Sequence, residues 1–199
     1  MDKILFSAEK LFRKYGTRSI SMDDIAHHLG MSKKTIYESF ADKSEIVDHI
    51  VKLIRKELEH LINNAIEEPA NPVQKLTKSF FCISSMIKDT NPSLLYDLQK
   101  HHESAWRTLL QFKEEFLIHK ITDTLKEGIE KRYFKTEINT NVYAIYFLEV
   151  MSFTNNEKLF PKSVYSEELV SNNIVDFLLS GIVTEKGKKA YEKLIPINR

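Results

Sequence analysis

Between Gly30 and Lys43 the chain reads Gly30-Met31-Ser32-Lys33-Lys34-Thr35-Ile36-Tyr37-Glu38-Ser39-Phe40, with Lys43 three residues on. Two adjacent ammonium groups and a set of hydroxyls lie within a single helical turn or two. Such groups suit phosphate oxygens, guanine edges and thymine methyls. On a wheel at about 100° per residue, Ile36 and Phe40 share an inner face. Lys34 and Glu38 then point outward, Thr35 and Tyr37 lie on the flanks, and the long stem of Lys33 reaches past the helix end. Lys43 opens the next helix, where its ammonium and the unpaired backbone N–H groups suit a phosphate. Ser21 stands at the equivalent end of the preceding helix. Glu38 is the exception to this cationic edge: its carboxylate suits cytosine N4, or repels the backbone and sharpens selectivity.

These residues need a rigid mount, and the preceding sequence supplies one. Ile4, Leu5, Ala8, Leu11, Phe12 and Tyr15 form an amphipathic stripe, and Gly16 follows as its left-handed terminator. Ser21 reads as the N-cap of a second helix, with Asp23 and Asp24 in its first turn. Ile25 and Leu29 are its buried side, and small Ala26 lets two short helices cross closely. Gly30 permits the turn, and Ser32 caps a third helix. The arrangement is a helix-turn-helix, whose second helix is shaped for a DNA major groove. Asp42 and Glu45 then form the capping box of a long fourth helix running to Ile66. The breaker Glu67-Glu68-Pro69-Ala70-Asn71-Pro72 ends it. Further helices are expected at about 73–89, 93–102, 103–132, 139–154 and 166–183, with a short one near Tyr191.

Bulk properties agree with an all-α fold. The 199 residues are 42 % hydrophobic, with only five Gly and five Pro. The net charge is +1, so affinity for nucleic acid must come from where charges sit. In residues 1–48 the cations, including Lys33, Lys34 and Lys43, are cancelled by acids such as Asp23, Asp24 and Glu38. Cys82 is the single cysteine, which suits a reducing cytoplasm. Asp2, Glu9 and Lys10 interrupt the N-terminal apolar pattern, against a signal peptide. The longest apolar run, Val142 to Leu148, is too short to span a bilayer.

Other chemistry is thinly represented. Glu115, His119 and Asp123 share a helix stripe at i, i+4, i+8, a spacing that suits either a metal or an ion-paired face; the face is the expectation. His27-His28 and His101-His102 point about 100° apart within each pair and chelate poorly. No glycine-rich phosphate loop and no nucleophile motif occurs, so neither an enzyme nor a cofactor is expected.

The combination Ile4-Leu5…Ala8…Leu11-Phe12…Gly16, Ser19 to Ala26, Gly30 to Tyr37, Phe40 and Lys43 resembles the N-terminal signature of the TetR family of bacterial transcriptional regulators. The resemblance implies an N-terminal three-helix DNA-binding domain over residues 1–46. A larger helical effector-binding and dimerisation domain would occupy 47–199. It places Lys33, Lys34, Thr35, Tyr37 and Ser39 at the groove or its walls, and Ser21 and Lys43 at phosphates. It implies a homodimer formed by the helices at about 139–154 and 166–183. The second of these carries Leu169, Val170, Ile174, Val175, Phe177, Leu178, Leu179 and Ile182, which cover more than one face. It also implies a small, largely apolar or aromatic effector among the middle helices. Phe81, Tyr96, Trp106 and Tyr146 are the aromatic candidates there. The expected function is that of a ligand-responsive repressor on a pseudo-palindromic operator. The competing expectation is a DNA-bound cell-division or nucleoid factor on the same scaffold without an effector.

Overall fold

The computed structural model describes residues 2–67, 71–87, 91, 93–151, 154 and 156–194. Residues 68–70 of the expected breaker and Phe153 of the apolar helix lie outside these. The elements are α1 Asp2–Tyr15, α2 Met22–Leu29, α3 Lys33–Ser39, α4 Lys43–Glu67, α5 Pro72–Ile87, α6 Ser93–His101, α7 Glu103–Gln111, α8 Ile118–Glu130, α9 Thr140–Met151, α10 Glu167–Ile182 and α11 Glu185–Glu192. Between α7 and α8 the backbone stays helical but widens to a π-helix over Phe112–Leu117. The single long helix expected at 103–132 is thus three segments, its middle one paired i→i+5 in place of i→i+4. Among the described residues the β-structure is one antiparallel bridge, Phe134 to Val183. No described helix is long and apolar enough to cross a membrane.

The chain packs as two compact units, residues 1–57 with 89–112, and residues 58–88 with 113–199. Packing therefore divides the chain at points other than 46/47: α6 and α7 join the helix-turn-helix, and α4 passes from one unit to the other.

In the first unit, Ile4, Leu5, Ala8 and Phe12 of the stripe on α1 are buried, whereas Leu11 is half-buried and Tyr15, at the C-terminal end of the helix, is exposed. The buried residues pack with Ile25 and Ala26 of α2, Ile36 of α3, and Ile46 and Ile50 of α4. Each fully buried Ile or Phe contributes about 1.5–3 kcal/mol. That burial holds the seven-residue α3, which is too short to be stable alone. Leu98 of α6 and Ala105 of α7 complete the core. Gly16 has φ +77, and a Cβ there would lie 2.7 Å from Asp97 Oδ2 on α6. The left-handed turn and the close approach both require glycine.

In the second unit α8 packs on α5 and α9, and α5 also meets α10 and α11. Phe80 and Phe147 meet edge to face at 5.8 Å. The Tyr143 hydroxyl donates to the Leu178 carbonyl at 2.7 Å, fastening α9 to α10.

Candidate nucleic-acid interface

Local capping fixes α2 and α3. Ser21 Oγ accepts from Asp24 N at 3.1 Å. In return Ser21 N donates to Asp24 Oδ2 at 2.8 Å and the Ser21 hydroxyl donates to the same oxygen at 2.5 Å. These bonds hold the Asp24 carboxyl below the usual carboxylate range. Gly30 terminates α2 at φ +64. Ser32 Oγ then accepts from Thr35 N at 3.1 Å and lies 2.8 Å from Thr35 Oγ1. At α4, Asp42 Oδ1 accepts from Glu45 N, and Glu45 Oε2 accepts from Ala41 N.

The result divides α3 as the wheel does. Ile36 and Phe40 are buried at 0 % and 1 % exposure. Lys33, Lys34, Thr35, Tyr37, Glu38 and Ser39 are all exposed and form one continuous outer edge. Tyr37 is 44 % exposed, so its ring is available at the surface rather than consumed by packing.

The cations on this surface differ in what they already hold. Lys33 Nζ is 2.8 Å from Asp23 Oδ1 and 3.1 Å from Oδ2. It also lies 5.8 Å from the Tyr37 ring centroid. The Asp23 hydrogen bond raises the Lys33 pKa. Lys34 is exposed and has no partner among the described residues.

Lys43 departs from its expected role as an ammonium clamp. Its Nζ turns inward and donates to the carbonyls of Thr17 and Ile20, both at 2.8 Å. Burial lowers its pKa, offset in part by Asp97 and Asp24. The physical reason is local: the α1–α2 loop presents two carbonyls without helix partners, and Lys43 satisfies both. Asp97 serves the opposite side of the same loop, accepting from Arg18 N at 3.2 Å. Neither Asp97 nor the Asp23–Lys33 pair was visible in the sequence. Their partners lie ten to eighty positions apart, with no spacing rule to connect them.

The aromatic effector candidates are distributed over both units. Phe81, Tyr96 and Tyr146 are exposed, at 41 %, 59 % and 48 %. Trp106 packs against the first unit's core. Tyr96 and Trp106 belong to the first unit, Phe81 and Tyr146 to the second. Residue type marked them as aromatic, but their periodicity did not say which face is inside. In the second unit Leu76, Thr77, Phe80, Phe147, Val175 and Leu179 border a narrow void that does not admit a water. Glu115, His119 and Asp123 do not assemble: among the described residues no three His, Cys, Asp or Glu side chains form a group that could hold a metal. Exposed apolar side chains collect on α9 and α10: Val142, Ile145, Tyr146, Leu169 and Phe177, the last 74 % exposed.

Comparison with known proteins agrees with this layout. Residues 4–50 match the sequence family described as bacterial regulatory proteins, tetR family. The uncharacterised HTH-type transcriptional regulator YvaF of Bacillus subtilis is 28 % identical over 94 % of this chain and 97 % of its own. The HTH-type transcriptional repressor KstR2 of Mycobacterium tuberculosis is 22 % identical over 92 % of both chains. The KstR2 structure, described as a ketosteroid transcriptional regulator, superposes with a TM-score of 0.72 at 19 % identity, covering 92 % of this chain and 95 % of that one. AibR, solved with isovaleryl coenzyme A and operator DNA, superposes with a TM-score of 0.69 at 17 % identity, covering 88 % and 96 %. The chain thus carries at residues 4–50 the reading head of the tetR family of bacterial regulatory proteins, and it shares the all-helical fold of such regulators over nearly its full length.

Proposed function

We propose that the chain is a homodimeric repressor that reads a pseudo-palindromic operator with one α3 per subunit, its hold on DNA retuned by a small apolar or aromatic effector. The observation that carries the DNA reading is the outer edge of α3. It is exposed while the opposite face is buried, and it offers Lys33, Lys34, Thr35, Tyr37, Glu38 and Ser39 to a groove. Ser21 contributes from the start of α2. Lys43 contributes by holding the loop that carries Ser21. Residues 1–46 carry the DNA-reading function, and dimer and effector functions fall to 47–199.

One reading head covers few base pairs, so useful affinity needs two, spaced by about 34–36 Å or a multiple. The exposed apolar side chains of α9 and α10 favour those helices as the dimer contact. The effector site we favour is the void between α5, α9 and α10, widened when occupied; its lining is apolar apart from Thr77. The names of KstR2 and AibR, one a ketosteroid regulator and one bound to an acyl thioester, support that ligand class.

The test is retention of genomic fragments by the pure protein at moderate salt. Sequence-selective retention is expected, and its absence refutes the reading. The tightness of the void favours a second reading, a DNA-bound cell-division or nucleoid factor without an effector. Titrating acyl thioesters, sterols and small aromatics against the retained fragment separates the two. A change in affinity supports the repressor, and none across the set supports the second reading.

A further inference from the structure

We propose that Asp23 is a specificity-determining residue of the reading head: it holds Lys33 back from arbitrary DNA and yields it only where the rest of α3 fits the bases. This rests on the DNA-reading function proposed above. The geometry is direct. Asp23 sits in the first turn of α2 and Lys33 in the first turn of α3. The carboxylate holds the ammonium at 2.8 Å, drawing it towards α2, with the Tyr37 ring 5.8 Å from the same nitrogen. Both side chains remain more than half exposed, at 55 % and 64 %.

That exposure makes the pair exchangeable. An ion pair in water is weakly held and trades readily against a phosphate of the same charge. Binding to arbitrary sequence is driven by counterion release, one unit for each phosphate neutralised. Lys33 on its carboxylate neutralises nothing further, because Asp23 carries a compensating charge to the same place. Along the exposed edge of α3, Lys34 is then the cation left unpaired. On matched DNA the base contacts of α3 hold the head close, and the Lys33 ammonium exchanges Asp23 for the backbone. Asp23 therefore lowers arbitrary binding more than matched binding.

The experiment uses a 30-base-pair duplex of random sequence and the full chain, with anisotropy read from about 50 to 200 mM salt. Asp23→Asn is expected to tighten random-duplex binding about threefold per bound subunit. It should also steepen the log–log salt slope by about 0.9 per subunit. Both changes should vanish in the Asp23→Asn, Lys33→Met double variant relative to Lys33→Met alone, and Asp23→Glu should behave as the parent. A gain that persists undiminished in the Lys33→Met background shows plain charge repulsion and overturns the proposal. So does an unchanged slope in Asp23→Asn. On a fragment selected from the genome, the ratio of selected to random affinity should fall in Asp23→Asn. If no fragment is selected, the function proposed above fails, while the random-duplex slopes still decide whether Asp23 withholds Lys33.

Discussion

The Lys43 ammonium donates to the Ile20 carbonyl oxygen at 2.8 Å, and by the same geometry to that of Thr17. A residue whose position suggests a phosphate clamp is thus a tie across the loop that delivers Ser21. Lys43→Met is expected to destabilise the chain by about 1–2 kcal/mol, since the two carbonyls fall back on water. Operator affinity should drop as Ser21 loses its support, while the log–log salt slope stays that of the parent. A slope flattened by about 0.9 per half-site would show that the ammonium reaches a phosphate after all. Urea titration and salt-dependent anisotropy on one preparation separate these outcomes.

His102 gives the first unit a pH dependence of known sign. It is buried, with Nδ1 3.2 Å from Ser44 Oγ. Burial, then Lys43 and His101, lower its pKa below the usual imidazole value, against weaker opposition from Asp48 and Asp97. The unfolded chain therefore takes up this proton first as pH falls. The stability linked to His102 is complete above the ordinary imidazole range and is lost as pH drops through the folded pKa. The urea midpoint should fall between pH 7.5 and pH 5.5, and His102→Asn, which keeps a polar group near Ser44 but cannot titrate, should reduce that fall. A parent-like pH profile in the variant would remove His102 as the cause.

Phe177 tests the assembly. It is the most exposed large apolar side chain of α10, and Leu169 lies on the same side two turns earlier. Phe177→Asp should leave the stability of each subunit within about 0.5 kcal/mol, because the side chain is largely exposed in its own chain. It should yield a monomer in sedimentation and weaken operator binding about a hundredfold or more, through loss of the second reading head. An intact dimer in the variant would move the interface elsewhere.

What the sequence disclosed and what it withheld follow from the range of the forces involved. The boundaries of α1 to α4, the caps at Ser21, Ser32 and Asp42, and the buried pair Ile36 and Phe40 are set by neighbours three or four positions away. Periodicity reads them directly. The π-segment at Phe112–Leu117 spans only six residues, too few for a change of period to be read there. The partners of Lys33 and Lys43 are fixed by the crossing of helices, which spacing does not encode. In α10 apolar residues surround the helix, so a wheel cannot say that Val175 and Leu179 turn inward while Leu169 and Phe177 face out. For the same reason residue type alone did not disclose that Phe81, Tyr96 and Tyr146 are exposed.

Glu38 is the outward carboxylate on a helix that otherwise presents cations and hydroxyls, and it is exposed beside Lys34 and Ser39. A carboxylate can accept from cytosine N4 but is repelled by phosphate and by the acceptor edge of guanine. Glu38→Gln keeps the size, removes the charge and adds a donor that suits adenine. Selection from a random library with parent and variant should therefore show one position per half-site moving away from cytosine by about tenfold or more, with the rest of the site unchanged. A uniform gain in affinity without a change in preferred sequence would instead assign Glu38 a purely repulsive role against the backbone.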